Sequence, residues 1–276
     1  MASRQELRRR GAEVLDHLQH GTNPPRARPL YLGSIPGMDH YNGEALWGAI
    51  WSRPGLDRRL RMVTTLSILS CLQRLPQLRT YLNSALTIGL DPREIREVLI
   101  QCSIYSGFPT TVNSLELLRD VLEVRNIDVL PMDVEEVSLD ELEGRGRALW
   151  DRLLHDEHDD HDEHDEHDEH DEHDDPSAAA AMLAPDLRHI ELQYVFGEIY
   201  HRPGLDLKSR AICAIASLVA LRFEDQLAAW MRGGLRAGLS KEELVETLMH
   251  SAYYAGFPAA ADAFTVASRV LAPEVT

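Results

Sequence analysis

Glu246, His250 and Tyr254 recur at intervals of four residues, the spacing that places side chains along one stripe of an α-helix. A carboxylate, an imidazole and a phenol in line make an acid/base set. Glu246 would orient the ring, the imidazole titrates near neutrality, and the phenol can pass on a proton. The same stripe equally suits a buried helix whose polar atoms satisfy one another. Glu198 and His201, three residues apart, are further candidates for proton transfer. Arg53 and Arg202 each precede Pro-Gly. They either clamp a substrate carboxylate or tie down loop carbonyls and pair with Glu97 or Glu246. His40 and His189 precede helical segments, as caps or as groups lining a pocket. Tyr81, Tyr105 and Trp230 are candidate binding groups, and Trp47, Trp51 and Trp230 read as packing or pocket wall.

A second chemistry-bearing feature is a histidine at every third position: His155, His158, His161, His164, His167, His170 and His173, with Asp and Glu between them. Imidazole with carboxylate suits Zn, Ni, Cu or Co, bound weakly and multivalently. A period of three drifts around a helix, so it builds no single preformed site, and dense like charge favours a disordered, solvated loop. Weak capture of a divalent metal is the alternative role.

The elements that position these groups are duplicated. Arg53-Pro54-Gly55-Leu56-Asp57 returns as Arg202-Pro203-Gly204-Leu205-Asp206, and Gly107-Phe108-Pro109 returns as Gly256-Phe257-Pro258, both 149 positions on. The same offset pairs His40 with His189, Gly48 with Gly197, Arg61 with Arg210, Glu97 with Glu246 and Tyr105 with Tyr254. A register held over such a distance marks a tandem duplication. A leading helix repeats at offset 135, Arg10-Gly11 with Arg145-Gly146, so the extra residues fall in the loop that holds the histidines. Asp91-Pro92-Arg93-Glu94 and Ser240-Lys241-Glu242-Glu243 read as helix starts, and Gly107 and Gly256 as helix ends. Helices are also expected over 58–74, 77–88, 208–223 and 226–237. No period-two pattern appears, which predicts an all-α fold of two fused copies, 1–130 and 131–276, the second containing the acidic His-rich loop 155–176.

The net charge of −17 misleads, because fourteen acidic residues lie between 155 and 175 and leave about −3 for the rest. No basic face remains to attract nucleic acid. No apolar run is long enough to span a membrane, and the basic N-terminus is not followed by the apolar stretch of a secretory signal. Cys71, Cys102 and Cys213 occupy unlike positions in the two copies and form no disulfide framework. A cytoplasmic protein is the expectation.

Leu46-Trp47-Gly48-Ala49-Ile50-Trp51-Ser52-Arg53-Pro54-Gly55-Leu56, Glu97-Val98-Leu99-Ile100-Gln101 and Tyr105-Ser106-Gly107-Phe108-Pro109 together resemble the carboxymuconolactone decarboxylase family, as does the second copy from Phe196 to Pro258. The resemblance implies an all-helical, cofactor-free, ring-forming protein, here a homotrimer with pseudo-hexameric symmetry. It also implies removal of a carboxylate from an unsaturated lactone acid. The chain departs from the family at several places. The family histidine is replaced by Tyr81 and Trp230, and its asparagine by Val112 and Ala261. The acidic residue after Trp-Gly survives only as Glu198. The Cys-x-x-Cys of the alkylhydroperoxidase-like branch is Arg74 with Gln77 and Phe223 with Gln226, which removes thiol redox chemistry. The expected function is a divergent decarboxylase-like lyase on a lactone or polyketide-like acid, with the second copy supplying the polar pocket. A non-catalytic scaffold or small-molecule binder, and metal handling through the histidine tract, are the alternatives.

Overall fold

Asp57 and Asp206 each sit one residue before an apolar helical run, and each carboxylate accepts the backbone N–H three residues on, from Leu60 and Ser209 at 2.8 Å. Such caps satisfy amides that have no partner inside the helix. Helices account for the secondary structure of the computed structural model, and no strand occurs among its described residues, which are 2–19, 37–128, 131, 136–154 and 182–272. The histidine–acid tract, with all seven proposed metal ligands, lies outside them.

The order is α1 (Arg4–Gln19), π1 (Tyr41–Trp51), α2 (Arg58–Cys71), α3 (Leu75–Thr87), α4 (Pro92–Ser106), α5 (Phe108–Val124) and α6 (Leu139–Leu153). It continues with π2 (Glu191–Glu198), α7 (Leu207–Leu221), α8 (Glu224–Arg236), α9 (Lys241–Ala255) and α10 (Phe257–Val270). Each element of the second copy thus repeats one of the first. π1 and π2 are wound as π-helices, a form concentrated at functional sites.

Packing divides the chain differently from the repeat. One compact unit combines Met1–Met132 with Gly204–Thr276, and the other is Asp133–Pro203. In the first unit α2 and α7 pack against each other, and each packs against both α4 and α9. Twelve of the fourteen residues of α2 are buried, unbroken from Leu60 to Cys71. Its hydroxyls return to their own helix, Thr64 to the Leu60 carbonyl and Ser67 to that of Val63, both at 2.9 Å, so burial leaves them bonded.

Helix ends differ slightly from expectation. α2 stops at Cys71 and α7 at Leu221 because Gln73 and Arg222 take left-handed backbone angles, φ 52° and 65°. The Gln73 amide donates to the carbonyls of Ser70 and Thr110 and holds that turn. Ser240 and Glu243 form the expected capping box. Glu94 does not return to its cap, because Arg59 takes its carboxylate at 2.7 Å. Gly107 and Gly256 adopt φ 84° and 101°, angles that only glycine takes without strain, and separate the last two helices of each copy.

Candidate functional site

The expected stripe on α9 exists, but its three members face different partners. Glu246 is 3% exposed. Its Oε1 accepts from Arg53 Nε at 2.7 Å and its Oε2 from Arg61 Nη2 at 2.8 Å. The Arg61 guanidinium, fully buried, also donates to the Arg53 carbonyl at 2.9 Å. Burial pushes the Glu246 carboxyl up, yet the hydrogen bonds and charge of the two guanidiniums outweigh that and hold it below the usual range. Arg53 therefore takes the pairing role. A buried carboxylate committed to two cations cannot also orient an imidazole, which corrects the expectation that Glu246 positions His250.

Thr65 does that instead. Its hydroxyl donates to the Arg61 carbonyl at 2.9 Å and lies 2.8 Å from His250 Nε2. Its one proton being used, it accepts from Nε2–H, and the imidazole is the Nε2–H tautomer. Nδ1 is left without a hydrogen-bond partner among the described residues. Complete burial, seconded by the charge of Arg61, pushes the His250 pKa well below 6.5. The ring is neutral at pH 7.

Tyr254 opens onto a cavity. Trp51 Nε1–H donates to its hydroxyl at 2.8 Å, and the Tyr81 hydroxyl lies 2.7 Å from it on the other side. The ring of Trp51 stacks on Tyr81 with an angle of 11° between planes, and His250 stacks on Tyr254. Four aromatic residues are thus held in one block, contributed by π1, α3 and α9. Tyr81 and Tyr254 line a cavity of about 500 Å³, together with Trp47, Tyr253 and leucines of α1, π1 and α2. Among the described residues no Asp or Glu lines it, and Arg74 is the single cationic lining residue.

The remaining candidates lie elsewhere. At the duplicate position Tyr105 meets Trp230 edge-on at 6.3 Å, where the first pair has two phenols. Gln101 stands in place of His250 and accepts from Arg210 Nη1 at 2.7 Å. His40 pairs with Glu44 at 2.9 Å, beside Arg4 and Arg8. Glu198, His201, His189 and Arg202 belong to the unit Asp133–Pro203. There His189 pairs with Glu143 at 3.0 Å, and the exposed His201 donates from Nδ1 to the Phe196 carbonyl at 2.9 Å. Sequence reasoning missed Arg61 and Thr65 as site residues, although Arg61 repeats as Arg210. Trp51, expected as packing or pocket wall, is buried against Tyr81 and is in addition a hydrogen-bond donor to Tyr254.

The described residues thus form a duplicated α-helical bundle with a phenol pair on a cavity wall. Residues 36–120 and 185–269 each match the model of the carboxymuconolactone decarboxylase family, and together they make up more than half of the chain. The chain belongs to that family. It is 31% identical over 90 residues to a 4-carboxymuconolactone decarboxylase of Acinetobacter baylyi, covering 33% of this chain and 66% of that protein. Over 72 residues it is 32% identical to a nitrosuccinic acid decarboxylase of Metarhizium robertsii, covering 26% of this chain and 50% of the relative. An uncharacterised 15.0 kDa protein of Paracoccus denitrificans is 33% identical over 98 residues, 35% of this chain and 73% of its own length. The first two relatives are thus matched over less than two thirds of their length. No helix among the described residues is long and apolar enough to cross a membrane.

Proposed function

We propose that the chain is a cofactor-free carboxy-lyase acting on a small unsaturated acid, of the lactone-acid or polyketide-acid type. The observation that carries this reading is the hydrogen-bonded pair Tyr81–Tyr254, backed by the Trp51 N–H, on the wall of a cavity that no carboxylate of the described residues lines. The bond from the carboxylate carbon to the α- or vinylogous carbon breaks, CO₂ leaves, and its electron pair passes into the conjugated carbonyl to give an enolate. One proton of the phenol pair is used between the two hydroxyls; the other donates to the enolate oxygen and is returned to carbon, and water then restores the phenol. Donation by Trp51 into the Tyr254 oxygen polarises that hydroxyl and makes it the better acid.

Glu246 and His250 serve this reading from behind. The carboxylate fixes Arg53 and Arg61, and the neutral imidazole presses on Tyr254. The internal satisfaction of Glu246 also favours a second reading, a binder of small acids without turnover. Both are separated by incubating the protein, in chelator, with 4-carboxymuconolactone and related lactone acids while following CO₂ and ultraviolet absorbance. Turnover in chelator is the expected result. A folded protein that binds such acids but releases no CO₂ would leave the binder.

A further inference from the structure

The cavity has two unlike ends. One is the aromatic block of Trp47, Tyr81 and Tyr254, and the other is the start of α3. Arg74 occupies the N-cap position of that 13-residue helix. Arg74, Gln77, Tyr81 and Ser84, at spacings of three, four and three, all face the cavity from α3, as one stripe of a helix must. The Arg74 side chain has no hydrogen bond or ion pair among the described residues, whereas Arg79, five residues on, is neutralised by Asp120 at 2.9 Å. No side chain caps the first-turn amides of α3, so the positive end of the helix dipole adds to the guanidinium. No carboxylate of the described residues lines the cavity to oppose it.

The duplicate helix α8 has the opposite character. Phe223, 49% exposed, stands at the position of Arg74, and Glu224 and Asp225 fill the first turn. The neighbouring Arg222 is already paired with Asp262 at 2.6 Å. Further along, Trp230 replaces Tyr81 and Gln101 replaces His250. An anion meets an unpaired guanidinium at one position, and an apolar side chain flanked by two carboxylates at the other.

We infer that Arg74 is the anchor for a carboxylate of the ligand, and that each chain therefore binds one acid, in the first-copy cavity, although it carries two copies of the fold. This rests on the cavity named under the proposed function and adds to it the residue that selects an anion and the stoichiometry. The ligand class is a carboxylate on a flat apolar body. The body lies against the aromatic end, and the anchored carboxylate lies at the mouth.

The test is calorimetric titration of the full chain with 2-naphthoate and with 2-naphthamide, which share a shape and differ in charge. One naphthoate per chain is expected, bound more tightly than the amide. Arg74→Gln should weaken naphthoate about tenfold or more, the usual range for a lost charge-assisted hydrogen bond, and leave naphthamide unchanged. Arg74 is exposed, so the variant should fold, and its circular dichroism melt checks that. Two naphthoates per chain, no binding by the folded wild type, or an Arg74→Gln variant that binds naphthoate like the wild type would each overturn the inference. The titration does not read turnover. A protein that binds one naphthoate through Arg74 yet releases no CO₂ from any lactone acid would remove the decarboxylase reading alone.

Discussion

His250 is buried, neutral and held through Nε2 by Thr65, and its titration gives a signature that can be measured. Its folded pKa lies below the 6.5 of the unfolded chain, so on acidification the unfolded chain takes up the proton first. Stability from this residue is therefore complete above pH 6.5 and falls below it, by up to about 1.4 kcal/mol per pH unit. Glu246 has the depressed carboxylate pattern, whose stability is present above pH 4.5 and is lost as pH falls through the lowered folded value. The two windows are distinct. Urea unfolding between pH 7.5 and 5 should show the decline in the wild type and a flatter profile in His250→Gln, the residue found at the duplicate position. An unchanged slope would mean that the imidazole is not the group responsible. At this scale the sequence was informative about identity and poor about partners. Glu246, His250 and Tyr254 could be placed on one stripe from spacing alone. Their actual contacts, Arg61, Thr65, Trp51 and Tyr81, lie 173 to 203 residues away along the chain, and helical periodicity carries no information about such distances.

Among the elements, the pairing of α1 with π1 depends on a close backbone approach. A methyl group at Gly48 would collide with the Leu7 carbonyl, and one at Gly11 with the Gly43 carbonyl. Gly146 and Gly197 repeat this between α6 and π2 in the second unit, against Leu192 and Leu142. Both glycine pairs stood out as repeats in the sequence, at offsets 135 and 149, which located the elements correctly. The π-winding did not, because an apolar face of helical period reads the same whether hydrogen bonds close at four or five residues. Since π1 carries Trp47 to the cavity and Trp51 to the Tyr254 hydroxyl, loosening it should affect the site as well as the fold. Gly48→Ala is expected to cost about 2 kcal/mol, within the usual range for overpacking, read as a lowered urea midpoint with unchanged slope. A midpoint equal to wild type would show that the backbones can part without loss.

For the whole molecule, duplication has made one chain carry two unlike versions of the same arrangement. The first-copy residues Arg53 and Arg61 grip Glu246 of the second, and Arg59 of the first reaches Asp206 and Ser209 of the second. Neither copy's helices satisfy their buried charges alone. Glu246→Ala should therefore destabilise the chain by about 3–5 kcal/mol, because it strands the buried Arg61 guanidinium. Chemical unfolding measures this directly, and a loss below 1 kcal/mol would contradict the account of that network. We propose that the chain assembles as the homotrimer that the family resemblance implies; Phe108 and Phe257, 71% and 64% exposed at matching positions of the two copies, are apolar surface available to such an interface. Light scattering should then give three times the chain mass of 31.1 kDa.

The central claim is that a hydrogen-bonded phenol pair supplies the proton in a cofactor-free decarboxylation. Its most direct test is the CO₂-release rate of Tyr254→Phe and Tyr81→Phe under saturating 4-carboxymuconolactone or whichever lactone acid the wild type turns over. Each change removes one hydroxyl and keeps the ring. The account predicts that kcat falls by about a hundredfold or more in at least one variant, the scale of a lost general acid, while both proteins remain folded. Two folded phenylalanine variants that both release CO₂ at the wild-type rate would contradict it.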